Sequence, residues 1–207
     1  MARFVREKGF DTPRTVVPDG AVERAIEETD LTYPIIAKPR RGISTTDVYE
    51  LHGPAELPLV DRIDDPILQA RIDGDEFTVD TFADEDGVVC AVPRERLATS
   101  GGVSVRGRTV EHPLLTRRVR TLVDELDVYG PANVQCFQTD DAVSVLEVNP
   151  RFSGTLALTV AAGVNTPRMA LDLAAGEPLS PPDSFDQITM CRFWNETFAR
   201  PSEPDDT

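Results

Sequence analysis

Two runs of alternating apolar and polar residues, 132–138 and 142–148, flank the polar triplet Thr139-Asp140-Asp141. Period-two alternation is the pattern of a strand with one buried face, and a short polar break between two such runs makes an antiparallel hairpin. Glu147 and Asn149 lie two apart near the end of the second run, so their side chains leave one face of the strand. A three-residue turn at 139–141 places Val145 opposite Gln135, with Gln135 diagonal to Glu147 at roughly 7–8 Å. Three hard oxygen donors on one face suit Mg²⁺ or Mn²⁺, which prefer oxygen ligands and leave room for phosphates and water. The same spacing also describes a polar outer sheet face, and that reading stays open on spacing alone.

A second hairpin is predicted upstream. In 75–82, Phe77, Val79 and Thr81 face one way and Glu76, Thr78 and Asp80 the other. Asp84-Glu85-Asp86-Gly87 is the turn and 88–93 the returning strand. Further short strands are read at 15–17, 34–38, 48–51, 67–70 and 187–194. Helices are read over 4–10 (stopped by Gly9), 21–29, 114–126, 155–162 and 167–174. Residues 53–66, with three prolines, read as connecting structure, and 99–109, rich in Gly, Ser and Arg, as a loop. Hairpins without a β-α-β rhythm predict an α+β fold with antiparallel sheets.

The charge balance narrows the partners. With 36 acidic and 21 basic residues the net charge is −15, and no basic cluster offsets it, so nucleic acid is excluded as a partner. Only Lys8 and Lys38 are lysines; the other basic residues are arginines. An Asp-rich, Lys-poor chain suits high salt, where self-repulsion is screened. Apolar runs are too short for a membrane span, and the N-terminus lacks the apolar core of a signal peptide, so a cytoplasmic location is expected. Three widely spaced cysteines without a C-x-x-C pair predict buried reduced thiols.

Other residues carry candidate chemistry. Lys38 ends an apolar strand and precedes a loop containing Gly42, Ser44, Thr45 and Thr46, whose N–H groups and hydroxyls could cap phosphates, although no Walker A motif is present. Glu76 could accept both hydroxyls of a ribose, or sit on a solvated strand face. Arg151 follows Pro150 directly after the candidate metal ligands, where a guanidinium could grip phosphate oxygens or simply make a surface ion pair.

Four segments in order, IIAKPRRGISTTDV, LQARIDGDEFTVDTFADEDG, GPANVQCFQTDDAVSVLEVNPRFSG and LTVAAGVNTPRMALDLAAGEPL, resemble the ATP-grasp superfamily, in pattern its carbamoyl-phosphate-synthase-like, carboxylate-activating branch. The third is the most specific, and coverage runs roughly over residues 10–180. The resemblance implies an ATP-grasp fold of two lobes, each an antiparallel sheet with helices: a small lobe at 1–68, a large lobe with the metal site at 69–198, and a disordered tail at 199–207. It implies ATP and Mg²⁺ (or Mn²⁺) as cofactors. Lys38 would contact the phosphates and the loop bearing Gly42, Ser44 and Thr45 would close over them. The backbone of Gln69, Ala70, Arg71 and Ile72 would meet adenine, and Glu76 the ribose. Gln135, Glu147 and Asn149 would hold the metal, and Arg151 would steady the transferred phosphoryl group, with Arg94 or Arg106 assisting. The implied reaction is phosphorylation of a small carboxylate to an acyl phosphate, which an amine or ammonia attacks.

Three departures from the family pattern bear on this. Asp47 stands where many relatives have glycine in the phosphate loop, Gln69 stands where many have Glu, and relatives carry an N-terminal domain ahead of this region. A split enzyme completed by a separate N-terminal domain or partner chain, a non-catalytic nucleotide-binding module, and a homodimeric structural domain therefore stay open as alternatives.

Overall fold

The computed structural model describes residues 2–42, 45–139, 142–193 and 195–198, and they build two antiparallel sheets. Strands β1 (Thr15–Val16), β2 (Ile35–Pro39), β3 (Tyr49–Leu51) and β4 (Pro66–Ala70) form the smaller, in the order β1-β4-β2-β3. The connecting stretch expected at 53–66 is a 3-10 helix, Pro54–Arg62, with Pro58 inside it. Its Leu57 and Val60, together with Ile26 of helix α1 (Val22–Glu28), close a core around Ile35, Ala37, Leu51 and Leu68.

The larger sheet contains β5 (Asp75–Asp84), β6 (Gly87–Ser100), β7 (Val103–Thr109), β8 (Gly130–Gln138), β9 (Val143–Asn149) and β10 (Thr189–Cys191), in the order β10-β7-β6-β5-β8-β9. The loop expected at 99–109 is instead the end of β6 and all of β7. Its polar side chains hide the strand from an apolar-pattern reading, but its backbone is paired on both sides, by β6 and by β10. On one face of this sheet Phe77, Val79, Val134, Cys136, Val143 and Val145 pack against Leu115, Val119, Leu122 and Val123 of helix α2 (Pro113–Glu125). Each such side chain contributes about 1.5–3 kcal/mol on burial. Among the described residues no helix is long and apolar enough to cross a membrane.

The expected division at residue 68 shifts at both ends. The N-terminal segment, with its short helix Ala2–Glu7, joins the larger sheet: Val5 and Phe10 are in its core, and Asp11 O accepts from Val145 N at 2.8 Å. The small sheet in turn keeps Gln69 and Ala70, which pair with Ile36 and Ile35, so the chain changes sheets at 71–74. The expected tail at 199–207 lies outside the described residues.

The β8–β9 register also departs from the simple hairpin. Cys136, not Gln135, faces Val145; Leu146 is left over, and Glu147 faces Gln135 directly. Strict alternation would put Glu147 and Asn149 on the core face with Val143 and Val145. One extra residue reverses that, so Val148 packs toward the core while Glu147 and Asn149 point away.

The second face is polar toward the small sheet and apolar at its far end, where Phe82, Cys90 and Val92 meet Val164 and Met169, the latter on helix α4 (Thr166–Ala175). Between these regions lies a buried ion pair. Arg94 donates to Asp80 Oδ1 and Ser153 Oγ at 2.8 Å each and to Thr155, while Thr159 of the short helix α3 (Leu156–Ala161) donates to Asp80 Oδ2 at 2.5 Å. Arg94 and Asp80 side chains are each 3% exposed. Removing one partner strands a buried charge, so Asp80→Ala is expected to cost about 3–5 kcal/mol in urea unfolding. A loss below about 1 kcal/mol would show that the pair does not fasten this end of the molecule.

Candidate functional site

Opposed residues of antiparallel strands share a face, and the register fixes who meets whom. Thr78 faces Gln135, which faces Glu147; Asp80 faces Asn133, which faces Asn149. Glu76 lies one step beyond Thr78 on the same face, and Arg96 one step beyond Arg94, which faces Thr78. The three expected metal ligands thus sit together, and Asn133 joins them. Asn149 Nδ2 donates to Glu147 Oε1 at 2.8 Å and to Asn133 Oδ1 at 3.4 Å; Asn133 Nδ2 donates to Arg151 O at 2.9 Å. The sequence reading passed over Asn133, although its place two residues before Gln135 puts it on the same strand face.

Gly74, just before β5, explains how the strand starts so close to β8. A Cβ there would lie 2.5 Å from Gln138 O.

The small sheet supplies Lys38, near the end of β2. Its Nζ donates to Gln69 Oε1 at 2.9 Å, and Gln69 Nε2 donates to Thr15 Oγ1 at 2.9 Å. Burial pulls the Lys38 ammonium below its ordinary pKa, and the Glu147 carboxylate opposes that shift. Burial also pushes the Glu76 carboxyl up; Arg96 opposes the rise and Glu147 adds to it. Lys38 and Glu76, from different sheets, therefore both lie within the field of Glu147.

Not every expected residue joins this group. Gln69 and Ala70 are strand-paired on both sides, with Ala70 N donating to Arg14 O at 2.8 Å, which leaves Arg71 and Ile72 as the part of that segment beyond the sheet pairing. The Arg71 side chain turns to Glu50, at 3.1 Å. Gly42 and Thr45 are exposed in the loop after β2, and Ser44 lies outside the described residues. Arg151 is exposed, with Nη1 donating to Phe152 O at 3.0 Å. Arg94 is committed to its buried ion pair rather than open to a ligand. Asp47 has φ +55°, a left-handed conformation that glycine adopts without strain and Asp tolerates better than most residues.

The donor set fits a hard divalent cation. Glu147 brings one carboxylate and Gln135 and Asn149 bring amide oxygens, all on a face directed away from the apolar core. Among the described residues no group of three or more His, Cys, Asp or Glu forms a separate metal cluster.

Comparison with known proteins agrees with this architecture. The chain is 26% identical over 200 residues to the carbamoyl phosphate synthase large chain of Rubrobacter xylanophilus, covering 86% of this chain and 19% of that protein. It is 29% identical over 187 residues to the same large chain of Halobacterium salinarum, covering 82% and 18%. The chain thus spans about a fifth of the length of these curated relatives. The ADP complex of an N5-carboxyaminoimidazole ribonucleotide synthetase superposes with a TM-score of 0.73 at 19% identity, over 90% of this chain and 53% of that one. An L-amino acid ligase from Bacillus licheniformis gives 0.67 at 20% identity, over 83% and 45%. These neighbours share the ATP-grasp fold, and the sequence relatives place the chain on the carbamoyl-phosphate-synthase-like side of that superfamily. The family described as ATP-grasp in the biosynthetic pathway with Ter operon matches residues 62–195, well over half of the chain, and this protein belongs to it.

Proposed function

We propose that the chain is the nucleotide-binding core of an ATP-dependent carboxylate-amine ligase. The observation that carries the reading is that Lys38 from one sheet and Glu76 from the other both feel the charge of Glu147, which the strand register places beside Gln135 and Asn149. In this reading Lys38, held by Gln69, meets the phosphates, Arg71 and Ile72 offer backbone to adenine, and Glu76 accepts the ribose hydroxyls. Gln135, Glu147 and Asn149 hold Mg²⁺ or Mn²⁺, and exposed Arg151 turns to the transferred phosphoryl group. The metal supplies charge neutralisation at the phosphates when bound. A carboxylate oxygen takes the γ-phosphoryl group and ADP leaves; the amine nitrogen then attacks the acyl carbon, phosphate departs and the nitrogen gives up a proton. The protein's part is positioning and electrostatic stabilisation. The small carboxylate binds on this core or on a separate N-terminal domain or partner chain.

The second reading is a nucleotide-binding module without ligase activity. Asp47 favours it, because a carboxylate in the loop after β2 repels a triphosphate.

Calorimetric titration with ATP, with and without Mg²⁺, in dilute buffer and in multimolar KCl, tests both readings. Magnesium-dependent binding is expected, and Glu147→Ala is expected to weaken it by about ten-fold or more. Unchanged affinity in that variant would remove Glu147 from the site. ADP release with a pool of carboxylates and amines separates the ligase from the module, which binds ATP and releases none.

Asp47→Gly is expected to tighten Mg-ATP binding by about two- to ten-fold at low ionic strength, with the gain shrinking in high salt. An equal affinity in dilute buffer would place Asp47 outside the phosphate field.

Lys38 sets a pH dependence. Its pKa in the free protein is depressed, so the cation that phosphate needs is lost as pH rises through that depressed value. ATP affinity is expected to fall over that range below pH 10.5, while Lys38→Arg, which keeps its charge, stays flat. Parallel pH profiles for the two proteins would disconnect Lys38 from the phosphates.

A further inference from the structure

Arg96 is placed by the fold between two parts of the molecule that the proposed reaction does not yet connect. Its side chain is 7% exposed, and Nε lies 3.3 Å from Glu76 Oε1 without the alignment of a hydrogen bond, leaving Nε without a hydrogen-bond partner. Nη2 donates to Gly102 O at 2.8 Å. Gly101 and Gly102 form the tip of the β6–β7 hairpin, at φ +56° and +77°. Pairing along this hairpin is irregular between Arg96 and Ala98 and again between Ala98 and Thr99, and such irregularities bend a strand. The residue opposite Arg96 is Gly107, where a Cβ would lie 3.0 Å from Glu95 O and 3.1 Å from Ser104 Oγ. On that row Arg96 is the side chain that reaches toward Glu76.

We infer that Arg96 is a positioning residue for nucleotide selection: it holds the Glu76 carboxylate as an acceptor for the ribose hydroxyls and fastens the Gly101-Gly102 tip beside it. The inference rests on the reading of Glu76 as the ribose acceptor. A guanidinium suits this task because it keeps its charge 3.3 Å from the carboxylate while Nη2 donates to the hairpin carbonyl. A carboxylate held ionised and immobile accepts from both the 2′- and 3′-hydroxyls, whereas a free one swings away or takes up a proton. The site then prefers ribonucleotides over nucleotides lacking those hydroxyls.

The test is calorimetric titration of the intact chain with Mg-ATP and with Mg-2′,3′-dideoxy-ATP, for the unaltered protein and for E76Q, R96Q and R96K. The unaltered protein is expected to favour ATP by about ten-fold or more, the strength of hydrogen bonds to a charged group. R96Q is expected to bring the ratio close to that of E76Q while dideoxy-ATP affinity changes by less than about two-fold. R96K, which keeps the charge and lacks the fork, is expected to retain part of the preference. A merely structural role predicts that both nucleotides weaken together. That result, or an unchanged ratio in both Arg96 variants beside a collapsed ratio in E76Q, overturns the inference and leaves Glu76 in place. An unaltered protein with no preference, or an E76Q variant that keeps it, overturns the Glu76 reading and the inference together.

Discussion

The direction of the Glu147 side chain depends on one residue that has no partner. Leu146 interrupts the β8–β9 pairing, and the period of the strand is thereby reversed between Val145 and Glu147. A strand has only two faces, so a one-residue insertion is the smallest change that moves a side chain from core to site. Without it the carboxylate would enter the apolar layer formed by Val143, Val145 and helix α2, where its desolvation is costly. The oxygen donors on the polar face are thus a consequence of irregular pairing, anchored on either side by regular pairing: Cys136 to Val145 before it, Val134 to Val148 after it.

The same face shows how a polar surface between two sheets is kept in order. Asp80 and Arg94 are too buried to be stabilising simply as an ion pair, since desolvation offsets much of their attraction. Their value is geometric: Ser153, Thr155 and Thr159 all bond to this pair, so the segment after Arg151 is tied to β5 and β6. Asn133 adds a bond to Arg151 O from β8. Arg151 itself stays exposed, but its backbone is held from both sides. In the proposed function an exposed guanidinium on a fixed backbone would suit a phosphoryl group whose position changes during transfer.

Much of this was legible in residue order. The alternation of 75–82 and of 132–138 sorts core from site faces correctly, since Phe77 and Val79 are in the core and Glu76, Thr78 and Asp80 are opposite them. The pairing of hairpins without β-α-β units likewise predicts antiparallel sheets. The bulge was not legible, because LEVN reads as regular alternation and only the partner strand shows that Leu146 is surplus. Strand β7 was missed because V-S-V-R-G-R-T lacks an apolar face; what makes it a strand is pairing on both edges, a long-range fact. The placement of Val5 and Phe10 against the larger sheet is of the same kind. Arg96 escaped notice because its role depends on the hairpin bending back, which no local pattern encodes.

Two carboxylates and a half-buried ammonium share one electrostatic field in the free protein. Glu147 raises the proton affinity of Glu76 and supports the charge of Lys38, so the three groups partly oppose and partly support one another. Lys38 and Glu76 are half-buried while Glu147 is exposed, so the desolvation cost falls on the first two and is met when the chain folds rather than when a ligand arrives. A divalent cation placed against Glu147 relieves its repulsion of Glu76, and phosphates placed against Lys38 restore the ammonium that burial disfavours. In the proposed function the metal and the triphosphate would bind in a mutually dependent way, because a net charge of −15 repels a bare tetra-anion and a divalent cation offsets that repulsion.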